Sequence, residues 1–306
     1  MSMSPHEQLW TIFLTVVPCI LAFDLLVLQR RSHVISLKES TLWTLFWIAL
    51  AFTFGAAVNW RLGPDRAMEF VTAYLIEESL SLDNMFVFIM IFSYFHVAPA
   101  HQRRILHWGI FLAILMRVFF IFAGVALLNK FHWMLYVFGV VLIATGVRMA
   151  IGQEEMVEPE KNFLLRFCKK FVPFVEKHVG HEFFVPVGGK RHATPAFATL
   201  LVIAASDVIF AIDSIPAVLA ISSDFFIVAT SNVFAVLGLR ALFFLVAGLM
   251  GMFRFLKLGI AVILCFVGVK MMIAHFYPIT IAVSLLVVAA VVSVSILASV
   301  LFKKQR

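Results

Sequence analysis

Apolar residues run along this chain in long blocks, and polar residues collect in the gaps between them. A helix needs about 20 consecutive apolar residues to cross a bilayer. Nine blocks reach or approach that length, at residues 9–28, 41–60, 69–95, 106–128, 132–151, 196–221, 225–250, 258–276 and 279–302. The pattern predicts an all-α, polytopic transmembrane helix bundle. Most connections are short. The exception, 152–194, is long and charged. It opens on the acids Glu154, Glu155, Glu158 and Glu160. An amphipathic helix follows over Phe163–Val175, of a kind that lies on a membrane surface. Then comes a hairpin from Phe183 to Lys190 that turns on Gly188-Gly189. Two readings of this segment stand side by side: a solvated linker, or a docking surface.

Composition agrees with the blocks. The chain has 306 residues, is 63% hydrophobic and only 13% charged, with 34 Phe and a mean hydropathy of +1.03. Soluble domains carry about 25% charge, so most of this chain must meet lipid or pack within a bilayer. Disordered and fibrous classes are excluded. A net charge of +7 would fit a nucleic-acid binder, but the basic residues sit in short clusters between apolar blocks, as in an oriented membrane protein. With the amino terminus outside, 17 Lys and Arg fall on the cytoplasmic side, and only Arg61, Arg66 and Lys130 on the other. Basic loops resist translocation, so the expectation is a multi-pass protein of the cytoplasmic (inner) membrane, amino terminus out and carboxyl terminus in. Met1 to Gln8 holds no Lys or Arg, which makes the first block a retained span rather than a signal peptide. Cys19, Cys168 and Cys265 are far apart and form no CxxC pair, so they read as reduced, inert thiols.

The blocks repeat. The third carries Glu77-x5-Asp83-Asn84 and the sixth Asp207-x5-Asp213-Ser214. The fourth carries Phe119-Phe120 and Ala123-Gly124 after Leu115-Met116-Arg117. The seventh carries Phe243-Phe244 and Ala247-Gly248 after Leu239-Arg240-Ala241. The fifth has Gly146-Val147-Arg148-Met149, the eighth Gly268-Val269-Lys270-Met271. An odd number of spans per unit inverts the second unit relative to the first. Inverted repeats are a transporter architecture, with the binding site near the midplane at the repeat interface. The expected division is 1–66 as a two-span addition, 67–151 as the first repeat, 152–194 as a cytoplasmic loop, 195–277 as the second, inverted repeat, and 278–306 as a final span with a basic tail.

Ten ionisable residues fall inside the blocks: the acids Asp24, Glu77, Glu78, Asp83, Asp207 and Asp213, and the bases Arg117, Arg148, Arg240 and Lys270. Each costs about 3 kcal/mol or more at the centre of a lipid-facing helix, so they must face one another or water. Either they form salt bridges that hold the bundle, or they line an ion path. A step of six residues turns a helix by about 240° net and rises about 9 Å. Glu77 and Asp83 therefore cannot grip one ion from a straight helix, whereas Glu77 with Asn84, and Asp207 with Ser214, share a face. Antiparallel packing of the third and sixth blocks would set Glu77 against Asp213 and Asp83 against Asp207. Pro216 either kinks its helix or frees the Ile212 carbonyl for a cation. Oxygen donors select hard or borderline divalent ions rather than Cu⁺ or Zn²⁺. His178-x2-His181 is a weak metal signal. No nucleophile–base pair, phosphate-cradling glycine loop or cofactor motif is present, so no enzyme and no cofactor are expected.

Three stretches resemble the TerC family of membrane proteins, in particular its Alx-like branch. They are Tyr74-Leu75-Ile76-Glu77-x-Ser79-Leu80-x-x-Asp83-Asn84, Ser206-Asp207-Val208-Ile209-Phe210-Ala211-x-Asp213-Ser214-Ile215-Pro216-Ala217, and Thr230-Ser231-Asn232-x-Phe234-Ala235-x-Leu237-Gly238-Leu239-Arg240-Ala241. The resemblance covers nearly the whole chain. It implies manganese export from the cytoplasm or, historically, tellurite resistance, and places the metal role on Glu77, Asp83, Asn84, Asp207 and Asp213. Asp24 stands where the family's first span carries an acid. Ala204 replaces a glutamate usual in the family, and Glu78 replaces a common lysine. The expected function is divalent-cation transport, with manganese as cargo, protons as the coupling partner and the carboxylates, including Asp24 and Glu78, as ligands. The alternative is a membrane assembly or stress-resistance factor whose buried charges are structural.

Overall fold

The computed structural model describes residues 4–27, 36–131, 133–151, 163–175, 182–187, 190–248, 255–274, 276–277 and 279–301, with some side chains within these ranges left undescribed. Among the described residues, ten helices and one hairpin follow in order: α1 Pro5–Val27, α2 Leu37–Leu62, α3 Pro64–Tyr94, α4 Pro99–Lys130, α5 Met134–Ala150, α6 Phe163–Phe171, β1 Phe184–Val187, β2 Lys190–Ala193, α7 Pro195–Leu219, α8 Phe225–Gly248, α9 Leu256–Ile273 and α10 Ile281–Leu301. Each apolar block became a helix. Among the described residues, five helices are, by length and composition, long and apolar enough to cross a membrane: Leu37–Leu62, His101–Lys130, Pro195–Leu219, Phe225–Gly248 and Ile281–Leu301. The protein is an all-α polytopic membrane protein, and these five stand out from the nine segments expected. The long helix α3 is set apart by its load of charge, from Asp65 and Arg66 through Glu69 to Glu77, Glu78 and Asp83.

Local chemistry sets the breaks. Gly63 separates α2 from α3 at φ 92°, ψ 171°, a conformation open essentially to glycine alone, and Pro64 then starts α3 with the φ a first helical turn needs. The amphipathic helix stops at Phe171 rather than at Val175, because Pro173 disfavours helix at the residue before it. The expected hairpin forms as an antiparallel pair, with Val185 opposite His192 and Val187 opposite Lys190. Gly188-Gly189 and the His178-x2-His181 pair lie outside the described residues. Thr194 fastens this hairpin to the bundle. Its hydroxyl donates to the Glu182 carbonyl at 2.6 Å and accepts from the Phe197 N–H at the start of α7.

Helix α8 is the axis of the molecule. Every residue from Phe226 to Phe243 is buried, with α2, α3 and α4 packed around it. Further packing joins α5 to α9, α4 to α7, α3 to α7, and α10 to both α3 and α9. Two apolar cores fill the centre. One gathers Ala73, Ile76 and Leu80 of α3 with Ile121 of α4, Ile215 and Val218 of α7 and Val228 of α8. The other gathers Met85 and Phe88 of α3 with Ile110 and Ala113 of α4, Val202 and Ile203 of α7 and Val236 and Leu239 of α8. Early residues of α3 thus meet late residues of α4 and α7 and early residues of α8. Helix α3 therefore runs antiparallel to α4 and α7, and parallel to α8.

Candidate functional site

A buried polar layer separates the two cores. Each central helix passes from one core to the other through a short gap, and each gap carries polar residues. On α4, Arg117 sits midway between Ala113 and Ile121. On α7, Asp207 sits midway between Ile203 and Ala211. On α8, Asn232 sits midway between Val228 and Val236. On α3, Ser81 and Asn84 lie between Leu80 and Met85, with Glu77 one turn earlier. All of these are buried, and Arg117 and Glu77 are 0% exposed.

Arg117 ties the layer together. Its Nη2 and Nε donate to Oδ1 and Oδ2 of Asp207 at 3.0 and 3.2 Å. Its Nη1 pairs with Oε1 of Glu77. One guanidinium thus holds two carboxylates from two other helices, using the planar fork that suits Arg to bidentate binding. The layer is not closed by this triad. Among the described residues, both amide atoms of Asn232 and the hydroxyl of Ser81 are buried without a hydrogen-bond partner. The same holds for the Ser214 hydroxyl, which lies seven residues beyond Asp207 in the first core. Buried polar atoms are nearly always paired, so the unpartnered Asn232 and Ser81 beside the triad, with Ser214 about two turns away, are a distinctive property of the site. A cavity of about 10 Å³, on the side of the second core, touches Asp207 and is walled by Phe88, Gly109, Ala113, Ile203 and Leu239. That volume is about the minimum for one water molecule.

Not every expected site residue joins the layer. Glu78 lies about 100° round α3 from Glu77. Its carboxylate oxygens lie 3.8 and 3.9 Å from where a side chain on Gly238 would begin, with Tyr74 one turn back. Asp24, Asp83 and Asp213 belong to α1, α3 and α7, and their side chains lie outside the described residues, so the pairings of Glu77 with Asp213 and of Asp83 with Asp207 lie outside them too. Among the described residues, no group of three His, Cys, Asp or Glu side chains is placed to hold a metal ion. Of the intramembrane bases, Arg117 meets acids. Lys270 instead donates to the Ser284 hydroxyl of α10 at 2.9 Å, Arg240 is buried, and Arg148 is exposed. Sequence reasoning missed Ser81 and Asn232. The signals were there: Ser81 stands one helical turn from Glu77, and Thr230-Ser231-Asn232 is a polar triplet inside an otherwise apolar helix.

Comparison with known proteins decides the family. The TerC family of integral membrane proteins matches residues 62–306. The chain belongs to the TerC family. It is 45% identical over 293 residues to an uncharacterized membrane protein of Myxococcus xanthus, covering 96% of this chain and 92% of that one. It is 43% identical over 307 residues to a Salmonella typhi protein described as "Putative membrane-bound redox modulator Alx", covering 97% and 95%. The protein of the same description from Escherichia coli K12 is 44% identical over 289 residues, covering 92% and 90%. No solved structure matches the chain. As a TerC-family member it is a multi-pass membrane protein in contact with the bilayer, with salt-bridged charge in its core.

Proposed function

We propose that this TerC protein is a membrane stress-resistance factor of the inner membrane, in which the Glu77–Arg117–Asp207 triad locks α3, α4 and α7 together. The observation that carries this reading is the shared guanidinium. Both buried acids pair with one base, and that base is on a third helix. The redox modulation named for the Salmonella and Escherichia relatives, carried over to this chain, points the same way. The three thiols Cys19, Cys168 and Cys265 sit on α1, α6 and α9.

A second reading is divalent-cation transport, with manganese export as its specific form. The unpartnered Asn232, Ser81 and Ser214 atoms favour it, since a purely structural polar layer gains nothing from unmade hydrogen bonds. Inverted repeats support it. Exchanging α3 with α7, α4 with α8 and α5 with α9 turns the α3–α8 contact into α7–α4 and leaves α5–α9, α3–α7 and α4–α8 in place. Finer contacts follow the exchange. A Cβ on Gly146 would meet the Ala261 carbonyl at 2.8 Å, and one on Gly268 would meet the Gly139 carbonyl at 2.7 Å. The same shift along the chain carries Gly146 to Gly268 and Gly139 to Ala261. Under either reading nine spans, amino terminus out and carboxyl terminus in, fit the distribution of Lys and Arg.

Replacing the whole triad by apolar groups, Glu77→Met with Arg117→Met and Asp207→Leu, separates the two. A structural lock tolerates this, because a buried ion cluster exchanged for well-packed apolar groups of similar volume is often neutral or stabilising. The folded triple variant should then protect cells against tellurite as the natural protein does. A folded variant that no longer protects, in cells whose manganese content rises, overturns the lock and supports transport.

A further inference from the structure

Helix α6 and the β1–β2 hairpin take no part in the buried triad, yet they are built into the fold as one cap. Helix α6 seats Leu165 in the second core. Beyond it, Val175 donates its N–H to the Ala193 carbonyl at 2.9 Å, and Ala193 donates back to the Pro173 carbonyl at 2.8 Å. The exit of α6 thus pairs with β2, which also pairs with β1. The Phe184 ring packs on Phe197 of α7, with centroids 4.7 Å apart. On α4, Arg104 sets its guanidinium over the Phe183 ring, 5.1 Å from the centroid. Arg104 heads the stripe Arg104, Trp108, Phe111, Leu115, Phe119 and Phe122, which recurs at three- and four-residue steps and is exposed at every position. On a membrane helix such a stripe is the face toward lipid, and a tryptophan near its polar end marks the headgroup level. Phe183 therefore stands one turn beyond Trp108, over the lipid-facing side of α4 and not over the bundle centre. The cap carries the side chains such a position calls for. Phe167, Phe184 and Val187 are 52%, 42% and 47% exposed. Arg166, Lys170 and Arg191 are exposed as well, and Arg166 and Lys170 flank Phe167 on one face of α6. Glu182 is the one acid among the described residues of 163–193.

We propose that α6 and the β1–β2 hairpin form an interfacial platform that binds the anionic phospholipids of the leaflet beside α4. Phe167, Phe184 and Val187 enter the headgroup layer, and Arg166, Lys170 and Arg191 hold lipid phosphates. Continuity selects the membrane as the occupant, because the cap is mounted on the lipid-facing stripe of α4. Charge complementarity selects the headgroup. Exposed bases beside exposed aromatic and aliphatic side chains are the combination that holds a peripheral element on an anionic surface, and each base adds to the attraction. With the amino terminus outside, this is the cytoplasmic leaflet, whose surface potential is negative. Lipid bound there acts on the bundle, since the hairpin is tied to α7 through Thr194 and to α4 through Arg104. Those are the two helices that bring Asp207 and Arg117 together. The platform is independent of whether the triad is a lock or part of an ion path.

The test uses the full chain with Cys19, Cys168 and Cys265 replaced by alanine and one spin label, at Phe167→Cys or Val187→Cys. The labelled protein is placed in nanodiscs of phosphatidylcholine, with or without phosphatidylglycerol. Electron paramagnetic resonance then compares collisions with oxygen, which concentrates in lipid, and with a water-soluble nickel chelate. With phosphatidylglycerol present both labels should shift from the chelate toward oxygen, and high salt should reverse the shift by screening the bases. Arg166→Glu, Lys170→Glu and Arg191→Glu in combination should abolish it. Labels that stay open to the chelate in both lipids overturn the platform. An equal preference for oxygen in both lipids overturns the anionic headgroup as its ligand. Labels shielded from both reagents mark a protein partner or a second copy of the chain, and overturn it too. Hydrogen exchange on the natural chain needs no substitution and covers any variant that fails to fold. Amides of 163–193 should exchange more slowly with phosphatidylglycerol present, and identical rates in the two lipids defeat the proposal.

Discussion

Arg117 is fully buried and answers for two acids, so its loss leaves two carboxylates facing each other without a counter-charge. Breaking a buried pair by removing one partner costs about 3–5 kcal/mol. Arg117→Ala should therefore lower the thermal unfolding midpoint of detergent-solubilised protein more than either Glu77→Gln or Asp207→Asn, each of which leaves one carboxylate on the arginine. Equal midpoints for all three would show that the guanidinium is not the hub. Lys270 offers the contrasting case. Among the described residues, its ammonium donates to one buried hydroxyl, Ser284. Ser284→Ala strands the charge and should cost about 1.5–3 kcal/mol, while Lys270→Met removes charge and desolvation together and should cost less. Reversal of that order in the same melting measurement would place the Lys270 charge elsewhere in the fold's energetics.

Between helices, close approach matters more than charge. Helices α5 and α9 meet with a carbonyl 2.8 Å from the position of a Cβ on Gly146 and another 2.7 Å from that of a Cβ on Gly268. Small residues that let backbones touch are a main source of helix association in lipid, where apolar burial gives no net drive. Any side chain at these positions must push one helix away from the other. Gly146→Val and Gly268→Val should each destabilise the protein by about 1–3 kcal/mol, and to a similar degree, read as a loss of folded protein in denaturant titrations. A substitution tolerated at one position and not the other would break the equivalence of the two units. The motifs that begin at Gly146 and Gly268 were visible as a sequence match. Their mutual contact was not, because it depends on which helices become neighbours.

For the whole molecule, the asymmetry of basic residues predicts where the ends lie. A reporter fused after Arg306 should be active only in its cytoplasmic form, and one fused before Met1 only in its exported form; the opposite result would invert the whole orientation. The apolar blocks, the hairpin and the acids of α3 and α7 were legible in the chain, whereas the break at Gly63-Pro64 and the helix stop before Pro173 were not read from it. Helix formation and membrane residence follow from local hydrophobicity and hydrogen-bond satisfaction, which need no knowledge of neighbours. The identity of the arginine between Glu77 and Asp207 was not legible. The repeat match aligns Met116, not Arg117, with Arg240, and the one-residue offset turns the two arginines about 100° apart around their helix axes. The polar level through Ser81, Arg117, Asp207 and Asn232 was hidden for the same reason. It exists only because four helices that run in different directions cross at one depth, and depth is set by packing between helices rather than by sequence along any one of them.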